Sequence, residues 1–93
     1  MLKPEFTGQF QRDYKLALKR NCNPDVFQTV MTFLVNEQPL PRKYRDHVLT
    51  NTRKYKEMRE CHMEPDWLLI YKAYPETGVL KLVRMGSHSD LFG

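Results

Sequence analysis

The stretch Trp67-Leu68-Leu69-Ile70-Tyr71-Lys72-Ala73-Tyr74-Pro75-Glu76-Thr77-Gly78-Val79-Leu80-Lys81-Leu82-Val83-Arg84-Met85 decides the fold. Leu68 to Tyr74 is apolar enough for a central strand, and Val79 to Met85 alternates. Pro75-Glu76-Thr77-Gly78 between them has the composition of a hairpin turn. A third strand candidate lies upstream, Tyr55 to Met63. Its parity puts Met58, Glu60 and His62 on one side and Arg59, Cys61 and Met63 on the other. On the last strand, alternation would place Leu80, Leu82 and Arg84 on one face and Val79, Lys81, Val83 and Met85 on the other. An arginine among such neighbours needs an anionic partner.

Working outward, Leu2 to Phe6 suits a short edge strand, since Pro4 cannot donate to a ladder. Thr7 can cap a helix opening at Gly8, with Phe10, Tyr14, Ala17 and Leu18 as its apolar stripe. Asn23-Pro24, with Asp25 in the first turn, starts a second helix with the stripe Phe27, Val30, Met31 and Leu34. Pro39-Leu40-Pro41 ends the helical region, and a basic connection runs on through Arg53. The predicted order is β-α-α-β-β-β, an α+β fold: an antiparallel sheet with the helical hairpin on one face. Nothing remains in the chain to cover the other face, which would form an open surface or shallow cleft. The tail from Gly86 to Gly93 reads as short and polar, ending on Leu91-Phe92.

Ninety-three residues, 41% hydrophobic and 28% charged, suit one domain, 1–93, that buries about 60–65% of its unfolded surface. Such a chain has no room for separate cofactor and substrate domains, and no cofactor is expected. The longest apolar run, Trp67 to Tyr71, is far short of the ~20 residues that span a bilayer. The amino end lacks a secretion signal, so a cytoplasmic protein without membrane contact is expected. Cys22 and Cys61 stand outside any CxxC pair and read as buried or half-buried thiols of a reducing compartment. Zinc ligation by these cysteines with His47, His62 and His88 is not expected, because the spacings match no tetrahedral pattern.

Charge is concentrated. Between Arg42 and Arg59, seven basic side chains (Arg42, Lys43, Arg45, Arg53, Lys54, Lys56, Arg59) face two acidic ones (Asp46, Glu57). That local +5 exceeds the chain's +4. A solvated loop is the bland reading. Tyr44 and Tyr55 within the run add faces on which bases could stack, which sets a nucleic-acid reading beside the bland one.

If the last strand pairs with the middle one, Arg84, His88, His62 and Asp66 converge on one end of the sheet. Imidazoles, one guanidinium and one carboxylate suit phosphodiester cleavage, because RNA brings its own nucleophile, the 2′-hydroxyl. Trp67 and Phe92 would stack splayed bases. Each residue also has a duller reading: an Asx turn at Asp66, core at Trp67, a plugged sheet edge at Phe92, structural histidines elsewhere.

The blocks Arg45-Asp46-His47, Arg59-Glu60-Cys61-His62-Met63-Glu64-Pro65-Asp66-Trp67-Leu68-Leu69-Ile70-Tyr71 and Arg84-Met85-Gly86-Ser87-His88-Ser89-Asp90-Leu91-Phe92 resemble the YafQ family of bacterial toxins, within the RelE/ParE superfamily of toxin–antitoxin systems. The resemblance implies a RelE-like fold and a ribosome-dependent, metal-independent mRNA endonuclease that cuts A-site codons and stops translation in the bacterial cytoplasm. Its functional positions would fall on His47, His62, Asp66, Trp67, Arg84, His88 and Phe92. His88 is then the candidate general acid, and His62, His47 or Asp66 the base or phosphate orienter. Arg84 would stabilise developing charge, and the basic run, Arg53, Lys54 and Lys56 included, would grip RNA. The implied partners are the ribosome, mRNA and a cognate antitoxin in a complex of two toxins and two antitoxins, the free toxin being a monomer. Thr50-Asn51-Thr52-Arg53-Lys54 departs from the glycine-containing segment more usual there. Two other classes stay open: a superfamily toxin with a gyrase-type target, and a non-catalytic RNA-binding module.

Overall fold

The computed structural model describes residues 1–50 and 52–93; of the atypical segment at 50–54, Asn51 lies outside the described residues. The elements in chain order are β1 (Lys3–Phe6), α1 (Gly8–Lys19), α2 (Pro24–Val35), a 3-10 turn (Arg42–Tyr44), β2 (His47–Val48), β3 (Arg59–Glu64), β4 (Trp67–Tyr74), β5 (Val79–Gly86) and α3 (His88–Phe92). Both helix starts follow their sequence signals. The Thr7 hydroxyl accepts from the Phe10 N–H, and the Asn23 side chain accepts from Asp25 N–H with Pro24 behind it. Both helices end in Schellman motifs, with Asn21 and Glu37 in the left-handed conformation at φ 62° and 56°. At α2 the Gln38 N–H reaches the Phe33 carbonyl and the Glu37 N–H the Leu34 carbonyl.

The sheet order is β1-β5-β4-β3-β2. β2, β3, β4 and β5 are antiparallel, but β1 runs parallel to β5, so the sheet is mixed and the expected all-antiparallel arrangement is corrected at its first strand. Strand direction across a separation of some seventy residues leaves no local trace in sequence. The connection expected to be irregular contains a 3-10 turn and β2, and β3 starts at Arg59 rather than Tyr55. Leu18 is 44% exposed and leaves the α1 stripe. The buried positions of α1 are Phe10, Asp13 and Ala17, so the helix turns a carboxylate, not a leucine, inward.

Two apolar clusters divide the sheet's faces. Val30, Met31, Leu34, Cys61, Met63, Leu69, Leu80, Leu82 and Met85 pack with α1 and α2 on one face. Leu49, Tyr55, Leu68, Ile70 and Leu91 form a smaller cluster on the other, with Val83 against it. The tail thus forms α3 and partly covers the face expected to be bare. Ser87 and Asp90 make a reciprocal capping box at its start.

The parity expected for β5 fails at one residue. Tyr71 pairs with Leu82 and Ile70 with Arg84, which leaves Val83 unpaired as a β-bulge. Beyond the bulge, Met85 joins Leu80 and Leu82 in the helix-side core. Arg84 falls instead into the open-face row Arg84–Ile70–Glu60–His47.

Candidate active site

The open-face row and the next one, Gly86–Leu68–His62, build the site. The His62 and His88 rings lie 5.5 Å apart between centroids, and His47 and His62 6.1 Å. Pro65-Asp66 forms the tight turn between β3 and β4, and Asp66 lies against the start of α3. Its Oδ1 accepts from the His88 backbone N–H at 2.9 Å and bonds His88 Nδ1 at 2.7 Å. One carboxylate oxygen therefore satisfies a helix N-terminal donor and fixes a ring, which leaves Nε2 of His88 free for chemistry. The two His88 hydrogen bonds, backbone first, hold the Asp66 carboxyl below its usual pKa. His88 is exposed and His62 half-buried.

His47 is fixed from both sides. Its Nδ1 lies 2.6 Å from the Arg45 carbonyl, and Arg45 adopts a left-handed conformation at φ 49°. Just before it, Asp46 receives Arg59 through two bonds and the Tyr71 hydroxyl, which ties the basic connection to β3 and β4. Arg59 therefore belongs to an internal ion pair, not to the free basic surface. Arg42, Lys43, Arg45, Arg53, Lys54 and Lys56 remain exposed.

Arg84 has its anionic partner, and it is internal. β1 pairs with β5 only as far as Leu82, so beyond that point β5 is an edge and α1 lies along it. Asp13 bonds Arg84 Nε at 3.0 Å and Nη2 at 2.9 Å, and accepts from the Met85 N–H at 3.1 Å. The Asp13 carboxylate holds the Arg84 pKa above its ordinary value, burial opposing and Tyr55 adding to it. Burial pushes Asp13 up, and the bonds from Arg84, Gln9 and Met85 outweigh it, so its carboxyl sits below the usual range. Only Nη1 and one Nη2 proton of Arg84 remain to meet a phosphate.

The two expected stacking residues part company. Phe92 is 44% exposed and meets the Tyr55 ring edge-on at 6.0 Å between centroids. Trp67 is 4% exposed, packed in the helix-side core, and as placed offers no open face to a base. It lines a cavity of about 450 Å³ with Arg84, Gly86 and Ser87, and its Nε1 has no hydrogen-bond partner among the described residues.

Sequence reading missed two carboxylates, Asp13 and Glu60. Glu60 is 4% exposed, with Oε1 at 3.1 Å from His62 Nε2 and 3.5 Å from His47 Nε2. Its shared parity with His62 was the available signal. Cys22 and Cys61 are free thiols. No group of three or more His, Cys, Asp or Glu side chains converges as a metal-ligand set among the described residues, and no described helix is long and apolar enough to cross a membrane.

An α+β sheet thus gathers three imidazoles, two carboxylates and a clamped arginine, groups able to exchange protons and to carry positive charge. The chain belongs to the YafQ family: the profile described as bacterial toxin of type II toxin–antitoxin system, YafQ, matches residues 2–93. It is 43% identical over 90 residues to the mRNA interferase toxin YafQ of Escherichia coli strain B, covering 96% of this chain and 94% of the relative. Among solved structures it is similar to the E. coli DinJ–YafQ complex, at TM-score 0.86 and 41% identity with both chains fully covered. It also resembles a metal-bound toxin from Helicobacter pylori, at TM-score 0.90 and 41% identity over 99% of this chain and 100% of the other.

Proposed function

We propose that this toxin is an mRNA interferase: a ribosome-dependent, metal-independent endoribonuclease that cuts codons in the A site of the bacterial cytoplasm's ribosomes. The observation that carries this reading is the grouping of His62 and His88, 5.5 Å apart, with Asp66 orienting His88. The name mRNA interferase borne by the E. coli relative supports it.

In the proposed reaction the 2′-oxygen attacks the adjacent phosphorus and the bond to the 5′-oxygen breaks, leaving a cyclic phosphate. His62 takes the hydroxyl proton and His88, through Nε2, gives a proton to the leaving oxygen. Asp66 is a poor base because its oxygen is already engaged by His88. His47 and Arg84 supply positive charge to the equatorial oxygens, and Phe92 stacks on a base. Arg53, Lys54 and Lys56 grip RNA through its phosphates, and the ribosome holds the 2′-hydroxyl in line. A cognate antitoxin would neutralise the toxin, in a complex of two copies of each; the E. coli structure with DinJ supports such a partner.

The test is primer extension on a translated message after induction, beside His88→Ala. Breaks at codon positions with the parent and none with His88→Ala are expected, and cleavage should survive removal of transition metals with ribosomal magnesium held constant. Growth arrest without message breaks, with gyrase captured instead, would sink the reading. So would salt-sensitive RNA binding without cleavage.

A further inference from the structure

Glu60 is unusual on chemical grounds alone. A carboxylate with a side chain only 5% exposed ordinarily needs a lysine or arginine, yet its ion-pair partners among the described residues are two histidines. Its open-face neighbour in the row is Ile70, fully buried, which offers no hydrogen bond from its side chain. Unlike the arginine held by Asp13, a histidine carries no permanent charge, so replacing Glu60 by a neutral side chain of the same shape strands no fixed cation.

The two rings answer it differently. A carbonyl only accepts, so His47 Nδ1 is the nitrogen that donates to Arg45. Its Nε2 faces the Glu60 carboxylate at 3.5 Å, within ion-pair range, so both ring nitrogens point at acceptors. His47 therefore suits the role of a fixed donor of positive charge. His62 uses Nε2 for Glu60 and has Nδ1 left over as a lone pair. Without Glu60, no hydrogen bond among the described residues distinguishes the two nitrogens of His62.

We propose that Glu60 is the positioning residue of the site, a single buried carboxylate that sets ring orientation and proton placement in both His47 and His62, making His47 a cation for the phosphate and His62 Nδ1 the base. This rests on the endonuclease reading above and deepens it.

The test uses the full chain on ribosomes programmed with one A-site codon, in single turnover, for the parent, Glu60→Gln, Glu60→Asp and His88→Ala. Glu60→Gln should cut about 10- to 100-fold more slowly, a part of the ~10²–10⁴-fold that a positioned general base contributes. Its ribosome affinity should stay within about twofold and its thermal midpoint should change little, because ring positioning is lost without stranding a permanent charge. Glu60→Asp, which keeps the charge, should recover part of the rate. Ring nitrogen resonances of His47 and His62 should shift in Glu60→Gln while those of His88 stay put. A Glu60→Gln chain that cuts at the parent rate while His88→Ala is inert overturns the Glu60 role alone. So does a rate loss that merely tracks a lowered thermal midpoint. Continued cutting by His88→Ala overturns the endonuclease mechanism itself.

Discussion

Replacing Asp13 by asparagine tests the clamp that holds Arg84 at the edge of the sheet. The carboxylate is 7% exposed and receives Arg84 Nε and Nη2, the Met85 N–H and the Gln9 side chain, all within 3.1 Å. Asparagine keeps the shape but has one acceptor oxygen, and its amide must face a donor. Breaking a buried pair costs roughly 3–5 kcal/mol, because the surviving charge is stranded. The Arg84 side chain is 18% exposed and can partly rehydrate, which points to the lower end, about 3 kcal/mol. Against a total of roughly 5–14 kcal/mol for a domain of this length, that is a large fraction. It corresponds to a fall in thermal midpoint of roughly 12–24 °C. Urea unfolding followed by Trp67 fluorescence reads it, since that tryptophan is buried and the chain has no other.

The same variant has a pH signature. Asp13 has a depressed folded pKa, so its contribution is present above the unfolded carboxyl value of about 3.9 and is lost as pH falls through the lower folded value. The gap between parent and Asp13→Asn should be full at neutral pH and close below about pH 4. A gap under about 1 kcal/mol at neutral pH, or one indifferent to acid, would refute the clamp as described.

Three further outcomes follow from particular residues. Glu37→Gly relieves a left-handed non-glycine residue at the end of α2 and should raise stability by about 1 kcal/mol in the same urea experiment. Gly86→Ala puts a methyl 2.9 Å from Asp90 Cβ; α3 should loosen and cleavage should fall while Trp67 fluorescence stays native. Arg20 first, and Ser87 with it, press Asp90 down to about 2. The α3 clasp should therefore hold above about pH 4 and release as pH falls toward 2, seen as loss of the Tyr55–Phe92 ring contact by NMR.

What could be read from sequence was local. Thr7, Asn23-Pro24 and the Pro75–Gly78 turn act on their own neighbours, so the helices and the hairpin fell where those residues put them. α3 has an equally local signal in Ser87 and Asp90, three residues apart, but its five residues are too few to show an apolar period. The parallel pairing of β1, the Asp13 clamp and the double contact of Glu60 join residues made neighbours only by the finished fold. The site's convergence was nevertheless legible. Two antiparallel strands with a known turn force the end of one beside the start of the other, and that alone brings His88 to Asp66.

The parity error at Arg84 and the correct convergence have one cause. Strict alternation would send Arg84 into the helix-side core with Leu80 and Leu82, away from His47 and His62. The bulge at Val83 shifts the last residues of β5 by one, returns Met85 to the core and turns Arg84 onto the open face. No glycine or proline marks that bulge; its compensation is distributed, through the Thr7 hydroxyl donating to the Val83 carbonyl at 2.8 Å and Asp13 taking the Met85 N–H. Both anchors come from α1 and its cap. The helix that packs the core thus also fixes the bulge that puts the arginine on the sheet face carrying the histidines, which is why that face depends on a carboxylate from the helical layer.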